Sequence, residues 1–369
     1  MEQKEPLSVM IKNTEQLYQK VLQLLGQLIA IPSFSKEEQD TAVCLEQFFS
    51  NEQIPVERIG NNLIVRNRYY DPNKPTVLLN SHHDTVRPNK GYTIDPFCPL
   101  IQDAKLYGLG SNDAGGALVA LAAAFLHFYE REELPYNLIY AATAEEEISG
   151  TGGIELILPA LGPVAVALVG EPTQMQMAVA ERGLMVLDVR VTGKAGHAAR
   201  NEGVNALYKA LEEIAWFRSC TFEKNSSLLG PVTMNVTSIE TENKQHNVVP
   251  SVCTYVVDVR VNELYTFEEL LDRIRKQISS EVQPRSTRLR STAIPLEHPL
   301  VQAGLQLGRT CYGSPTTSDK ALMPFPSLKI GPGDSARSHT ADEFIYLEEL
   351  EEGIVLYIQL LEKLFEQKA

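Results

Sequence analysis

The sequence predicts an α/β fold with a mostly parallel central sheet, interrupted by a smaller α+β insertion, and three observations carry that reading. Residues 76–80 (TVLLN), 137–142 (NLIYAA), 164–169 (VAVALV) and 327–330 (SLKI) are short runs that are apolar along their length, as strands buried on both faces are. Helical patterns lie between them, and strands that alternate with helices pair in parallel. Between residues 180 and 290 the character changes: residues 185–191 (MVLDVRV) and 253–261 (CTYVVDVRV) alternate apolar with polar, the mark of a sheet with one wet face.

Taken in order, residues 14–30 read as an amphipathic helix ending at Ile31-Pro32, since the residue before a proline is pushed out of the helical region. Residues 35–50 form a second helix, and residues 115–130 an Ala-rich one after a Gly-rich loop. Helical patterns at 204–217 and 267–278 belong to the insertion, and residues 347–365 close the chain as a helix. The expected organisation is a first domain at 1–179, an insertion at 180–290, and a return to the first domain at 291–369. No internal repeat or low-complexity tract interrupts it.

A chain of 369 residues is long enough for two buried cores. The net charge of −14 opposes nucleic acid or an anionic membrane as partner, because both reward an excess of Lys and Arg. The longest apolar stretch, residues 118–128, is too short to span a bilayer, and the polar stretch 1–13 lacks the apolar centre of a secretory signal. Five scattered cysteines, odd in number, fit a reducing cytoplasmic setting rather than a disulfide framework or a thiolate zinc site.

The chemistry lies in where acids and histidines fall. His82 and Asp84 follow the first strand, Glu145, Glu146 and Glu147 the second, Glu171 the third, and His339 the fourth. Asp113 lies in the loop GLGSNDAGG just before a helix. Loops at the carboxyl ends of strands in an open α/β sheet converge on one crevice, which gathers two imidazoles and several carboxylates. Imidazole with carboxylate, and no thiolate, suits zinc, with cobalt or manganese as substitutes. So many carboxylates imply two metals sharing a bridging carboxylate, a pair that activates water and polarises a carbonyl. One further carboxylate, off the metals, is then required to carry the proton.

Each residue has a plainer reading when taken alone. A histidine after a strand is commonly a hydrogen-bonded structural residue, which is how His83 is read. The three glutamates could be a solvated helix N-terminus, Asp113 a helix cap, and Glu171 before Pro172 a turn residue. Residues 331–336 (GPGDSA) fit a dinucleotide loop, but no apolar helical period follows them, so they are read as the loop presenting His339.

The ordered segments SHHDTVRP from Ser81, YGLGSNDAGG from Tyr107, TAEEE from Thr143, GEPT from Gly170 and SHTADE from Ser338 resemble the motifs of one family. It is the co-catalytic zinc metallopeptidase and deacylase family of acetylornithine deacetylase, succinyl-diaminopimelate desuccinylase, aminoacylases and glutamate carboxypeptidase. The resemblance implies a zinc-exopeptidase-like catalytic domain with an inserted lid and dimerisation domain. It implies two Zn2+ per subunit, one on His82 and Glu171 and one on Glu147 and His339, with Asp113 bridging. Glu146 would be general base and then acid, and Asp84 would orient His82 from behind. A cis peptide after the bridging residue, here Asp113–Ala114, is a further family feature.

By the same resemblance His197, in GKAGHAAR, reaches a partner subunit's site and stabilises the oxyanion of a homodimer built through residues 180–290. Asn247 and Arg260 hold substrate oxygens, Arg260 through its planar fork, and Thr317, in Thr317-Ser-Asp319, lies in a substrate loop. Thr316 and Lys320-Ala321 depart from the family pattern there. The segments 106–110 and 331–333 look most like the acetylornithine deacetylases, which implies deacylation of N-acetylornithine or a close relative such as N-acetylcitrulline, N-succinylornithine or N-succinylcitrulline in arginine biosynthesis. The competing readings are a desuccinylase or a dipeptidase or carboxypeptidase of the same family, and, in another class, a metal-free binding paralogue. The presence of all five ligand residues and the base counts against the last.

Overall fold

The computed structural model describes residues 7–200 and 202–367, so the first six residues of the polar N-terminal stretch lie outside the described residues. The chain forms two compact units, one of residues 1–179, 294–312 and 318–369 and one of residues 180–293 and 313–317.

The first unit is organised by a twisted sheet. At its centre four strands run parallel in the order Asn137–Thr143, Thr76–His82, Val164–Val169, Ser327–Lys329. The strands Asn137–Thr143, Thr76–His82 and Ser327–Lys329 are buried at every position, which explains their continuous apolar sequence. The sheet is parallel only there. Val56–Ile59 and Asn62–Arg66 form a hairpin that pairs antiparallel with Asn137–Thr143, and Met177–Glu181 lies antiparallel beside Ser327–Lys329. The hairpin turns across Gly60 and Asn61, and Gly60 has φ +63°, the left-handed conformation a two-residue turn requires.

The Ala-rich helix is Gly116–Phe128, with nearly every side chain buried, and the helices Leu7–Ile29 and Leu347–Glu366 pack on it. Alanines on such a helix let its axis approach the sheet closely. A ring cluster of Phe49, Phe125 and Tyr140 joins the helix Gln39–Asn51 to this layer, with centroids 5.2–6.1 Å apart. The first helix begins at Leu7 rather than at residue 14. No helix among the described residues is long and apolar enough to cross a membrane.

The second unit carries a four-stranded antiparallel sheet in the order Thr233–Thr241, Val252–Val261, Gly183–Thr192, Glu281–Pro284. Met185, Leu187, Val189 and Val191 alternate into a core with Tyr255, Val257 and Val259, and the helices Ala206–Ser219 and Phe267–Gln277 cover that face. Both helices are capped from the sequence. Asn205 accepts from Leu207 N at 2.9 Å, and Thr266 and Glu269 form a reciprocal capping box. The segment 313–317 belongs to this unit because Ser314 O accepts from Arg182 N and Thr317 Oγ1 donates to Arg182 O at 3.2 Å.

Candidate metal centre

Thr76–His82 ends at His82, buried with its ring pointed past the strand terminus, and the neighbouring strand ends at Thr143, just before the three glutamates. Glu145 has φ +55°, a conformation that non-glycine residues adopt rarely and that recurs at functional turns. Its own carboxylate folds back to accept from Gly152 N at 3.2 Å. Glu146 N and Glu147 N then donate to the two carboxylate oxygens of Asp84 at 3.0 and 3.2 Å, and Ser35 Oγ donates to the same carboxylate at 2.6 Å. His82 Nδ1 lies 3.0 Å from the main-chain oxygen of Asp84 and 3.5 Å from its carboxylate. Asp84 therefore supports the imidazole mainly through its backbone, while its side chain holds the glutamate turn.

Two donor groups result, each with ligand atoms within 4.8 Å of one another: His82, Asp113 and Glu171, and Asp113, Glu147 and His339. His82 Nε2 stands 3.3 Å from Asp113 Oδ1 and 3.9 Å from Glu171 Oε1. His339 Nε2 stands 3.0 Å from Glu147 Oε2 and 3.6 Å from Asp113 Oδ2. Asp113 thus turns one oxygen to each group. Glu146 belongs to neither, yet its Oε2 is 4.0 Å from His82 Nε2. The Asp113–Ala114 peptide is cis. The first group is closed, with the His82 side chain 1% exposed, and the second is open, with that of His339 55% exposed.

The electrostatics follow from crowding. Burial by itself would depress His82, but Asp113, Asp84, Glu146 and Glu171 around it outweigh burial and hold its pKa well above the usual value. Burial raises Glu146 well above a normal carboxyl, reinforced by Glu171, Asp319 and Glu147 against the relief given by His82. Burial also works on Asp113, yet His82, Ser338 and His339 bring it below the ordinary range. His339 is pushed up to about 9, first by its contact with Glu147.

This donor set fits metal ions. His82 Nε2 is buried without a hydrogen-bond partner, aimed at three carboxylates, and a clustering of anions of this kind is stable only when paired or coordinated. Imidazole nitrogen and carboxylate oxygen are donors for zinc, cobalt or manganese.

The remaining candidates lie in the second unit. His197 is exposed, and its Nδ1 accepts from Ala199 N at 3.2 Å. Asn247 is exposed, and its carbonyl accepts from Ala198 N. The Arg260 fork is engaged by Asp258 two residues earlier, at 2.8 and 3.0 Å. Thr317 bonds Arg182 O, whereas Asp319 of the same motif is buried in the first unit and accepts from Thr143 Oγ1 at 2.7 Å. Burial, eased by Thr143, leaves Asp319 at about 6. His83 is structural, bonded to Thr41 and to Asn61 O. Residues 331–336 open only a single short turn, Ser335–Arg337, so no dinucleotide helix follows them. Sequence reasoning passed over Ser35, for which no local pattern exists, and Glu343, which lies in a motif it quoted.

A mixed sheet that presents two carboxylate–imidazole groups at its strand ends defines an α/β metallohydrolase. The pattern of Peptidase family M20/M25/M40 matches residues 78–363, and the chain belongs to that family. It is similar to acetylornithine deacetylase of Proteus mirabilis (strain HI4320), 27% identical over 374 residues, which cover 92% of this chain and 96% of that one. It is also similar to succinyl-diaminopimelate desuccinylase 2 of Ruegeria sp. (strain TM1040), 28% identical over 271 residues, covering 69% of this chain and 68% of that one. Among solved structures it resembles the YXEP protein of Bacillus subtilis, described as a dinuclear metal binding peptidase from the M20 family. The TM-score is 0.71 at 14% identity, covering 95% of this chain and 99% of that one, a likeness of fold.

Proposed function

We propose that this M20 hydrolase cleaves the linear amide of an N-acylated amino acid at a site of two metal ions bridged by Asp113. The observation that carries the reading is that Asp113 is common to both donor groups while Glu146 stands beside them in neither. His82 and Glu171 would hold one ion, Glu147 and His339 the other. Zinc suits these donors, and cobalt or manganese would substitute. When bound, the ions supply Lewis-acid polarisation of the amide carbonyl and activation of water. Glu146 takes the attacking water's proton and delivers it to the leaving nitrogen. Asp84 keeps Glu146 and Glu147 in register through their main-chain N–H groups.

The second unit would serve as lid and dimer surface, with His197 of a second copy donating to the oxyanion. Its edge strand Thr233–Thr241 and the exposed Tyr208 and Leu211 on one helix face support that role. Asn247 and Arg260 would receive the substrate's oxygens, Arg260 by exchanging Asp258 for a carboxylate, and Thr317 would flank the acyl group. The five unpaired cysteines support a reducing, cytoplasmic setting. The acyl group is acetyl, as in N-acetylornithine, or succinyl. The desuccinylase relative supports succinyl at least as well as the deacetylase supports acetyl.

Amine release by zinc- or cobalt-loaded protein from N-acetylornithine, N-acetylcitrulline, N-succinylornithine, N-succinyl-diaminopimelate and dipeptides tests this. Turnover of acylated amino acids is the expected result and names the acyl group. Turnover of dipeptides alone would overturn the deacylase assignment in favour of a peptidase.

A further inference from the structure

The geometry points to Glu343 as a positioning residue that fixes Asp113 between the two donor groups and joins it mechanically to the His339 loop; the inference rests on the two-metal reading above. Glu343 is 2% exposed and lies four residues after His339. Its Oε1 accepts from Asn112 N and from Asp113 N, each at 2.9 Å, and its Oε2 accepts from Gly110 N at 3.1 Å. Its main-chain oxygen accepts from Gly108 N at 3.0 Å. Four bonds from one residue therefore land on the short loop that delivers Asp113.

That loop needs an outside acceptor. It precedes the helix Gly116–Phe128, and N–H groups at such a helix entrance have no carbonyl a turn earlier to receive them. Gly110 has φ +77°, which turns its N–H inward together with those of Asn112 and Asp113. A carboxylate is the side chain suited to this place, because all three contacts are donors and an ionised carboxylate only accepts. A glutamine would point an NH2 group at one or two of them.

The Asn112 side chain repeats the connection from the other direction. Its Nδ2 donates to Asp334 O at 3.0 Å, and its Oδ1 accepts from Asp334 N at 2.9 Å. Asp113 and the loop bearing His339 consequently form one hydrogen-bonded body, in which Glu343 is the joint on the Asp113 main chain. Because Asp113 serves both donor groups, an error in its backbone would misplace one oxygen in each.

The test is metal binding by the full-length protein, wild type and E343Q, titrated with zinc in a metal-buffered solution and examined by visible absorption after cobalt(II) substitution. Outer residues of this kind influence metal affinity by about 10- to 100-fold, so E343Q is expected to bind both ions that much more weakly and to show an altered cobalt spectrum. Wild-type affinity and an unchanged spectrum in E343Q, with only a lower melting temperature of the metal-free protein, would mean a purely structural residue and overturn the inference. A wild-type protein that binds no zinc or cobalt would bring down the metal-centre reading and this inference with it, a result separate from any difference between the two proteins. Should E343Q fail to fold, hydrogen exchange on metal-free wild type decides. Slow exchange at Gly110, Asn112 and Asp113 is expected of a preformed clamp, and rapid exchange there would refute it.

Discussion

The two units keep their candidate residues in opposite ways. In the first, His82, Asp84 and Glu171 are buried, and His82 Nε2 finds no hydrogen bond although three carboxylates surround it. In the second, His197 and Asn247 are exposed, Arg260 is already paired with Asp258, and Thr317 is satisfied by Arg182 O. A crowd of buried anions is costly unless something cationic joins it, so the first unit declares its chemistry from within. None of these four candidates in the second is a buried group left without a partner. On the function proposed above, they would act only on a substrate or another copy of the chain brought to them.

That contrast can be broken in three places. The largest effect is expected at Glu146. E146Q should retain both metals by elemental analysis and lose turnover by ~10²–10⁴-fold, the usual worth of a positioned proton carrier. Activity near wild type in the metal-loaded variant would show that the buried group is not the chemical centre.

His197 comes next. H197A should keep its metals and lose ~10²–10³-fold in kcat, as removal of an oxyanion donor does. Mixing H197A with E146Q and assaying the recombined dimers sharpens the point. Activity recovered above either parent places His197 in trans, and none recovered confines it to its own subunit.

The smallest effect concerns an exposed carboxylate of the second unit. Glu242 accepts from Ser251 Oγ, Ser251 N and Val252 N, and these bonds, Ser251 Oγ foremost, hold its pKa down at about 2 against an ordinary 4.5. A depressed carboxylate contributes stability above the unfolded value, and the contribution is lost as pH falls from 4.5 through 2. E242Q should therefore be less stable than wild type in urea at pH 7, with the gap closing towards pH 2. A gap independent of pH would show that the ionised form is not what holds Ser251 and Val252.

The central strands were legible because burial on both faces leaves short, continuous apolar runs. The edge hairpin was not. Val56–Ile59 is only partly buried, four residues long and tied by a Gly60-Asn61 turn, too little pattern to separate from a loop. Of the candidate ligands, His82, Glu147 and Glu171 could be singled out because they stand at or just after the ends of buried strands, where position in sequence limits position in space. Ser35 reaches the Asp84 carboxylate and Glu343 the main-chain N–H groups of Asn112 and Asp113, and such pairings between distant segments leave no mark in the local sequence of either partner. The Arg260 pairing could have been read, since residues two apart on a strand share a face and Asp258 stands at that spacing.

Ala117 lies between two glycines that carry the ends of different strands into the centre. A Cβ at Gly170 would stand 3.1 Å from Ala117 Cβ and 2.8 Å from Leu121 Cδ1, and one at Gly331 would stand 3.0 Å from the same Ala117 Cβ. Gly170 precedes Glu171, and Gly331 begins the loop to His339, so one methyl group acts as a shim for both arms of the site. The gauge of the centre is thereby cut into the helix behind it: thickening the shim by a methylene would spread the arms, and thinning it would let them close, with no ligand itself exchanged.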